Sequence, residues 1–229
     1  LPGPLTWSYS WLRRFHNSGC GCMVATRSLE QDLRDRGFTN LMRWSRGGDE
    51  TVFKPYGDSV LPADLPRPIF MNVGRVSVEK NIKAFLELDL PGTKVVVGGG
   101  PQLETLRREY PKVHFTGPKV GEDLARHYAS ADVFVFPSLT DTFGNVLLES
   151  LACGVPVAAY PVMGPLDVIG DTGAGVLSDN LREAALAALD VPRDHCRKVA
   201  LNYTWAASAQ QFLDNAHIAR NRDDIAVAA

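Results

Sequence analysis

From Pro68 to about Asn180, apolar runs of four to six residues alternate with amphipathic segments of about ten. This alternation predicts strands buried on both faces and separated by helices, and therefore an α/β fold. We expect a Rossmann-like parallel sheet with helices on both faces. The predicted strands are Ile69–Val73, Lys94–Val97, Val113–Thr116, Val133–Phe136, Pro156–Ala159 and Gly175–Leu177. The predicted helices beyond them are Leu181–Leu189, His195–Leu201 and Trp205–Ala219.

The residues before this pattern predict a smaller piece of structure. Its expected elements are a helix at Tyr9–Phe15, a strand at Cys22–Thr26, a helix at Leu29–Arg36 and a strand at Asn40–Trp44. They form one β-α-β unit, which is too little for a domain. Four prolines between residues 54 and 68 favour a linker. We predict a first part at residues 1–53, a linker at 54–67, a main domain at 68–220 and a tail at 221–229.

Composition limits the function classes. The chain has 229 residues, 45% of them hydrophobic, which suffices for a buried core and indicates a soluble globular protein. A formal net charge of −2 provides no general attraction for nucleic acid or an anionic membrane. No apolar stretch is long enough to span a bilayer, and no signal peptide opens the chain. Because the first residue is Leu1, we expect a processed start or a fragment of a longer protein.

The four cysteines do not indicate a disulfide or a metal site. Cys20 and Cys22 are separated by one residue, and His16 precedes them, but no second cluster supplies further ligands. Ordinary buried or surface residues are therefore the better interpretation. We expect reduced thiols, a cytoplasmic protein and no bound metal.

Charged residues follow the first predicted strand of the main domain. Ligands of such sheets bind beyond the carboxyl ends of the strands. Gly74 lies there, and Arg75 and Lys80 are spaced so that they converge near a helix N-terminus, where peptide dipoles favour an anion. Taken alone, the two cations are better interpreted as solvated side chains, and the triplet Gly98–Gly100 as a plain turn.

A second helix is expected to open at the same edge. The residues from Thr142 through Phe143, Gly144, Asn145 and Val146 provide another turn of free peptide N–H groups. Glu149 follows on that helix among apolar neighbours, where an unpartnered carboxylate is costly. It is placed to accept hydrogen bonds from a ribose diol. A plain surface glutamate is the alternative.

These segments together resemble the nucleotide-binding C-terminal half of the GT-B retaining glycosyltransferases of family four. The segments that carry the resemblance are Val73–Asn81, Val97–Pro101, Phe115–Gly117, Tyr128–Ser138 and Thr142–Val157. As an ordered set they are specific, and the resemblance covers about two-thirds of the chain. Residues 1–53 would then be the remnant of an N-terminal acceptor domain, and Trp44–Pro55 resembles the family's interdomain segment.

The resemblance implies that this domain binds a nucleotide-diphosphate sugar such as a UDP-hexose or GDP-hexose. Arg75 and Lys80 would bind the diphosphate, Glu149 the ribose, and backbone at Pro118, Lys119 and Val120 the base. Asp141 stands eight positions before Glu149, where the family has a glutamate that holds hydroxyls of the sugar. A side chain shorter by one methylene group puts the identity of the sugar in doubt more than the activity.

The implied reaction is transfer of a hexose to an unknown sugar or lipid acceptor with retention at the anomeric carbon. Arg75, Lys80 and Asp141 are the expected catalytic groups, and the two cations would replace a divalent ion. The sequence has no Asp-x-Asp motif, in keeping with a reaction without metal or cofactor. We expect no nucleic-acid partner and a peripheral membrane contact through the N-terminal domain.

Two alternatives remain at this stage. One is a nucleotide-binding half-subunit that becomes an enzyme only with a partner chain. The other is a sugar-nucleotide epimerase on the same fold, although none of the five histidines is placed to supply its acid and base. As a fragment, the chain is expected to bind donor and to be inactive alone.

Overall fold

The computed structural model describes the backbone of residues 4–141 and 143–228, and the side chains of residues 7–141 and 143–222. The chain divides into two compact units. The larger unit is Gly48–Thr204. The smaller unit combines the residues before Gly48 with those from Trp205 onward.

The larger unit is built on a six-stranded, entirely parallel sheet. Its strands are β3 (Ile69–Val73), β4 (Thr93–Val97), β5 (His114–Gly117), β6 (Val133–Phe136), β7 (Val157–Ala159) and β8 (Gly175–Leu177). Their spatial order is β5-β4-β3-β6-β7-β8. The chain therefore builds outward from β3 in one direction and from β6 in the other, and β3 and β6 are the neighbours at which the order reverses.

Alternating strand residues enter two separate hydrophobic cores. On β3, Ile69 and Met71 belong to one core and Phe70 to the other. On β6, Phe134 belongs to the first of these cores and Val133 to the second. Successive strand side chains point to opposite faces of a sheet, so both faces are covered. This confirms the predicted Rossmann-like sheet with helices on both faces.

Helices connect successive strands of the larger unit, and further helices follow its last strand. The connecting helices are α3 (Ile82–Leu86), α4 (Leu103–Glu109), α5 (Gly121–Ser130), α6 (Asn145–Ala152) and α7 (Met163–Val168), and those that follow the last strand are α8 (Leu181–Ala187) and α9 (Arg193–Ala200). Short 3-10 helices lie at Val78–Lys80, Gly170–Thr172 and Ala188–Asp190. Three strands begin and end where the sequence predicts them, at Ile69–Val73, Val133–Phe136 and Gly175–Leu177.

The proline-containing segment predicted as a linker belongs to the larger unit. Leu61 is buried in its core, and Tyr56 packs against that core. The Val60 N–H donates to Ser130 Oγ at 3.1 Å. Prolines stiffen a chain as readily as they mark a linker, and apolar residues between them can anchor it. The segment therefore differs from the expectation at residues 54–67.

The smaller unit contains the predicted β-α-β element and the last helix. Its elements are α1 (Pro4–Asn17), β1 (Cys22–Val24), α2 (Arg27–Asp35), β2 (Leu41–Arg43) and α10 (Trp205–Ala228). Strands β1 and β2 are parallel. The Trp44 Nε1–H donates to the Ser208 carbonyl at 3.1 Å, and Asn215 Nδ2 donates to the Arg43 carbonyl at 2.7 Å.

These contacts show that α10 belongs to the smaller unit and not to the predicted main domain. The sequence assigned residues 205–220 to the main domain and 221–229 to a tail, whereas α10 continues through Ala228 beside β2. Local periodicity identifies a helix but not the element on which it packs. In the described part of the chain, no helix is both long enough and apolar enough to span a bilayer.

Candidate functional site

The point at which the strand order reverses carries a cavity of about 160 Å³. Crevices of this kind form where the connections from two neighbouring strands leave in opposite directions. Here β3 and β6 end side by side. The lining residues are Asn72, Val73, Gly74, Arg75, Lys80, Phe136, Pro137, Ser138, Asp141, Gly144, Asn145 and Val146.

A second cavity of about 360 Å³ adjoins the first. It is lined by Val73, Gly74, Arg75, Val97, Gly98, Gly99, Pro118, Lys119, Leu124, Val146 and Glu149. The two cavities share four lining residues, namely Val73, Gly74, Arg75 and Val146. A ligand with two parts could therefore occupy both cavities with its middle beside Arg75.

Glycines allow the loops after β3 and β4 to approach each other. The Gly74 N–H donates to the Val97 carbonyl at 3.0 Å. Gly98 has a φ of +147°, and a Cβ there would collide with the carbonyl oxygen of Gly74. The triplet that begins at Gly98 is therefore more than a permissive turn, because its first residue must lack a side chain for the cavity wall to form.

Lys80 and Asp141 meet across the smaller cavity. Lys80 Nζ lies 2.6 Å from Asp141 Oδ1, and the two side chains are 36% and 22% exposed. A partly exposed pair of this kind contributes little to stability, so Lys80 can turn toward a bound anion at small cost. The Arg75 side chain is more exposed than that of Lys80, and its Nη1 lies 3.9 Å from Glu79 Oε1.

Lys80 does not lie in the first turn of a regular α-helix, as the spacing suggested. It ends a 3-10 helix, and Asn81 follows with a φ of +52° before α3 begins. Asn81 Nδ2 donates to the Pro137 carbonyl at 3.0 Å, which ties this segment to the loop after β6. That tie holds the Lys80 segment beside the segment that leads to Asp141.

Helix α6 opens onto the smaller cavity. Gly144 precedes it with a φ of +74°, and its first turn contains no acidic residue. The first N–H groups of a helix have no intrahelical acceptor and carry partial positive charge. Together with the side chains of Arg75 and Lys80, this turn makes the smaller cavity favourable for an anion.

Glu149, on α6, lines the larger cavity. Its Oε2 accepts a hydrogen bond of 3.0 Å from the hydroxyl of the fully buried Tyr128. Burial raises the pKa of Glu149, and the Tyr128 hydrogen bond offsets part of that rise. The carboxylate is therefore held in place from one side and leaves acceptor capacity for a ligand on the other.

Most of the predicted site residues come together here. Gly74, Arg75, Lys80, Pro118, Lys119, Asp141, Gly144, Asn145, Val146 and Glu149 line one or both cavities. Val120 lines neither, because it precedes α5 with its side chain 81% exposed. Phe143 lines neither, because it is buried in the core. Thr142 lies outside the described residues.

Sequence reasoning assigned no binding role to two polar residues of the smaller cavity. Asn72 is a lone polar residue within the apolar strand β3, and its Nδ2 donates to the Val135 carbonyl at 3.0 Å. Ser138 follows the end of β6 and is buried. A polar residue inside a buried strand, and another at the end of the neighbouring strand, were the available signals.

Metal-binding groups do not cluster near the cavities. Among the described side chains of residues 7–141 and 143–222, no three His, Cys, Asp or Glu residues are placed to hold a metal ion. Cys20, Cys22, Cys153 and Cys196 are free thiols. Burial raises the pKa of Cys153 to about 12 and that of Cys196 to about 11, so neither is a nucleophile at neutral pH.

Similarity to known proteins agrees with this geometry. A family model described as Glycosyl transferases group 1 matches residues 67–191. The GDP-mannose-dependent alpha-mannosyltransferase of Corynebacterium glutamicum is 32% identical over 92% of this chain and 55% of its own length. The Sulfoquinovosyl transferase SQD2 of Arabidopsis thaliana is 31% identical over 74% of this chain and 38% of its own length.

A solved structure shares the architecture. The sucrose-phosphate synthase of Thermosynechococcus elongatus superposes with a TM-score of 0.74 at 25% identity, over 96% of this chain and 62% of that one. The chain thus spans about half the length of the curated relatives it matches.

Proposed function

This chain belongs to the Glycosyl transferases group 1 family, and we propose that it carries the donor-binding site of an enzyme that transfers a hexose from a nucleotide-diphosphate sugar. The transfer is proposed to retain the configuration at the anomeric carbon. One observation supports this most: two adjoining cavities meet at Arg75 and the start of α6, Lys80 lines the smaller one, and each cavity contains a carboxylate.

Each cavity suits one part of such a donor. The larger cavity takes the nucleoside, with Glu149 accepting from the ribose diol and the backbone at Pro118 and Lys119 beside the base. The diphosphate lies at the junction, where Arg75, Lys80 and the first turn of α6 meet its charge. The hexose then enters the smaller cavity beside Asp141.

The same groups can lower the barrier to transfer. Breaking the bond between the anomeric carbon and the diphosphate leaves negative charge on the departing phosphate oxygen. Once the diphosphate is bound, the two cations and the helix N–H groups are in place to stabilise that developing charge. Lys80 leaves Asp141 as the diphosphate binds, which frees Asp141 Oδ1 for a sugar hydroxyl. No metal ion is required in this proposal.

We propose a GDP-hexose as the first donor to test. Several relatives at 30–34% identity are named GDP-mannose-dependent alpha-mannosyltransferases. A UDP-hexose is the second choice. The acceptor, a sugar or a lipid, is proposed to bind residues beyond the two cavities described here.

Calorimetry in EDTA tests the donor site and its independence of metal. We expect GDP and GDP-mannose to bind the wild-type chain, with affinities that magnesium changes by less than about threefold, or about 0.7 kcal/mol. UDP provides the comparison for the base. Absence of binding to all three ligands would contradict the donor site, and binding that appears only with magnesium would contradict the metal-free mechanism.

Transfer itself needs a second measurement. Holding two substrates together supplies a large part of the rate enhancement in transfer reactions. The 229-residue chain spans only 55% of the length of the mannosyltransferase of Corynebacterium glutamicum. We therefore expect it to bind donor but to release no product with a panel of sugar and lipid acceptors. A version extended to the length of the mannosyltransferase relatives is the matching comparison. Acceptor-dependent turnover by the shorter chain would overturn this expectation.

A further inference from the structure

Ser138 lines the smaller cavity and has a hydroxyl without a hydrogen-bond partner in the described part of the chain. The residue is only 1% exposed, and its Oγ has no hydrogen-bond partner among the described residues. It follows β6 and lines the cavity of about 160 Å³. Buried hydroxyls are nearly always hydrogen-bonded, so this one points to a partner that arrives with a ligand.

Asp141 has a similar open position in the same cavity. Its Oδ1 is paired with Lys80, whereas its buried Oδ2 has no partner among the described residues. One wall therefore offers two separate positions for hydrogen bonds: a carboxylate oxygen that can only accept, and a hydroxyl that can donate or accept.

The chemistry of these two positions selects the ligand group. A carboxylate oxygen needs a donor, which a phosphate dianion cannot supply. A cationic group is disfavoured by the neighbouring charges of Arg75 and Lys80. Neutral hydroxyls satisfy both positions, since each can donate to Asp141 and exchange a hydrogen bond with Ser138.

We propose that Ser138 binds a hydroxyl of the donor hexose and, with Asp141, determines which hexose the cavity takes. This inference rests on the proposed donor-binding function. A polar site of this kind discriminates strongly, because a sugar without the matching hydroxyl leaves buried groups unpaired. Ser138 thus acts on the sugar, whereas Glu149 and Lys80 act on the nucleotide.

The test compares Ser138→Ala with Ser130→Ala. Both serines are buried, but the hydroxyl of Ser130 donates to the Arg126 carbonyl at 2.7 Å and accepts from the Val60 N–H. Ser130 lines neither cavity. Calorimetry in EDTA measures the affinities for GDP, GDP-mannose, GDP-glucose and UDP-glucose, and thermal unfolding measures stability.

We expect Ser138→Ala to weaken the best-bound nucleotide sugar by about 3- to 20-fold while changing GDP affinity by less than about twofold. Its Tm should not fall, because the hydroxyl has no partner to lose. Ser130→Ala should lower Tm by about 3 °C or more and leave the ratio of sugar-nucleotide to GDP affinity unchanged.

The remaining outcomes separate the two proposals. If wild type binds GDP but Ser138→Ala leaves the ratio unchanged for every nucleotide sugar that wild type binds, the role of Ser138 is wrong and the donor site stands. Equal weakening of GDP and nucleotide sugar also overturns the sugar contact. Failure of wild type to bind any nucleotide overturns both proposals.

Discussion

At the scale of single residues, the site contains groups that the fold alone would not favour. Glu149 is mostly buried with one hydrogen bond from Tyr128, and burial raises its pKa. An ionised carboxylate in such a place lowers stability relative to a neutral side chain of the same shape. This cost is the reason that we propose a ligand contact for Glu149.

Glu149→Gln should therefore lose function without losing stability. Because the folded pKa lies above the unfolded one, the folded chain binds a proton more readily. The contribution of Glu149 to unfolding free energy consequently falls as pH rises from the unfolded pKa of about 4.3 through the folded pKa. Glutamine still accepts from Tyr128 and does not ionise.

We expect the variant to be at least as stable as wild type at pH 7, with any difference vanishing at pH values below both pKa values. Urea unfolding from about pH 3.5 to about pH 7 measures this difference, since that range begins below the ordinary pKa of a glutamate. A variant less stable than wild type by more than about 1 kcal/mol at pH 7 would mean that the charge is needed for folding.

Lys80 and Glu149 should be separable by their ligands. Lys80→Ala and Glu149→Gln each remove a charge-assisted contact worth about 1.5 to 3 kcal/mol, so each should lower GDP affinity by about 10- to 150-fold. Only Lys80→Ala should also weaken binding of inorganic pyrophosphate, which has no ribose. Competition calorimetry measures both ligands.

The matched control is Lys83→Ala. Lys83 is a lysine nearby in the sequence that pairs with Glu109 at 2.8 Å and lines neither cavity. Its loss should leave both affinities unchanged. Equal weakening of pyrophosphate binding by the Lys80 and Glu149 variants would refute the assignment of one to phosphate and the other to ribose.

At the scale of elements, the site depends on how closely neighbouring loops approach. The loop after β3 carries Gly74 and Arg75, and the loop after β4 lies against it through Gly98. From the other side, Asn81 joins the loop after β6. The loops after β3 and β4 are thus held together by backbone contacts, which tolerate little change in side-chain size, and the Asn81 side chain joins them to the third connection.

Gly98→Ala should disturb this arrangement. The new Cβ would collide with the Gly74 carbonyl, and alanine is strained at a φ of +147°. We expect a loss of about 2 to 4 kcal/mol in unfolding free energy and at least about tenfold weaker GDP binding. Urea unfolding and calorimetry measure the two effects.

Gly57→Ala provides the control for this substitution. A Cβ at Gly57 meets no atom within 4 Å, and Gly57 lines neither cavity. We expect changes below about 0.5 kcal/mol for this variant. A Gly98→Ala protein with wild-type stability and affinity would show that the two loops can separate without consequence.

At the scale of the whole molecule, every residue that lines the two cavities lies within Gly48–Thr204. The two ends of this unit are joined to each other. The Gly48 N–H donates to the Tyr203 carbonyl at 2.7 Å, and Gly48 forms a parallel bridge with Thr204. Arg197 strengthens this closure by donating to the carbonyls of Glu50, Phe53 and Ala152.

A fragment of residues 48–204 should therefore fold and bind nucleotide. It retains the complete sheet and both cores, and its ends close without help from other segments. We expect a cooperative thermal transition and a GDP affinity within about threefold of the full chain. Circular dichroism and calorimetry test this. An unfolded fragment would show that residues outside Gly48–Thr204 stabilise the donor site.

The sequence alone identified the class of fold and many of the residues that line the two cavities. Apolar runs bounded by glycine, proline and charged residues are local signals, and they located strands such as Ile69–Val73 and Val133–Phe136. The ordered motifs likewise indicated Arg75, Lys80 and Glu149, because these residues lie in or close after the segments that follow β3 and β6, and such segments meet at one edge of a parallel sheet.

Which of these residues meet depends on the three-dimensional packing of the chain. Lys80 and Asp141 are 61 positions apart, and their contact depends on β3 lying beside β6, which no local pattern encodes. Local pattern likewise does not encode the hydrogen bond from Tyr128 to Glu149, the lack of a partner for the Ser138 hydroxyl among the described residues, or the packing of α10 beside β2. Periodicity states which face of an element is apolar, whereas the partner of that face is chosen by the packing of the whole chain.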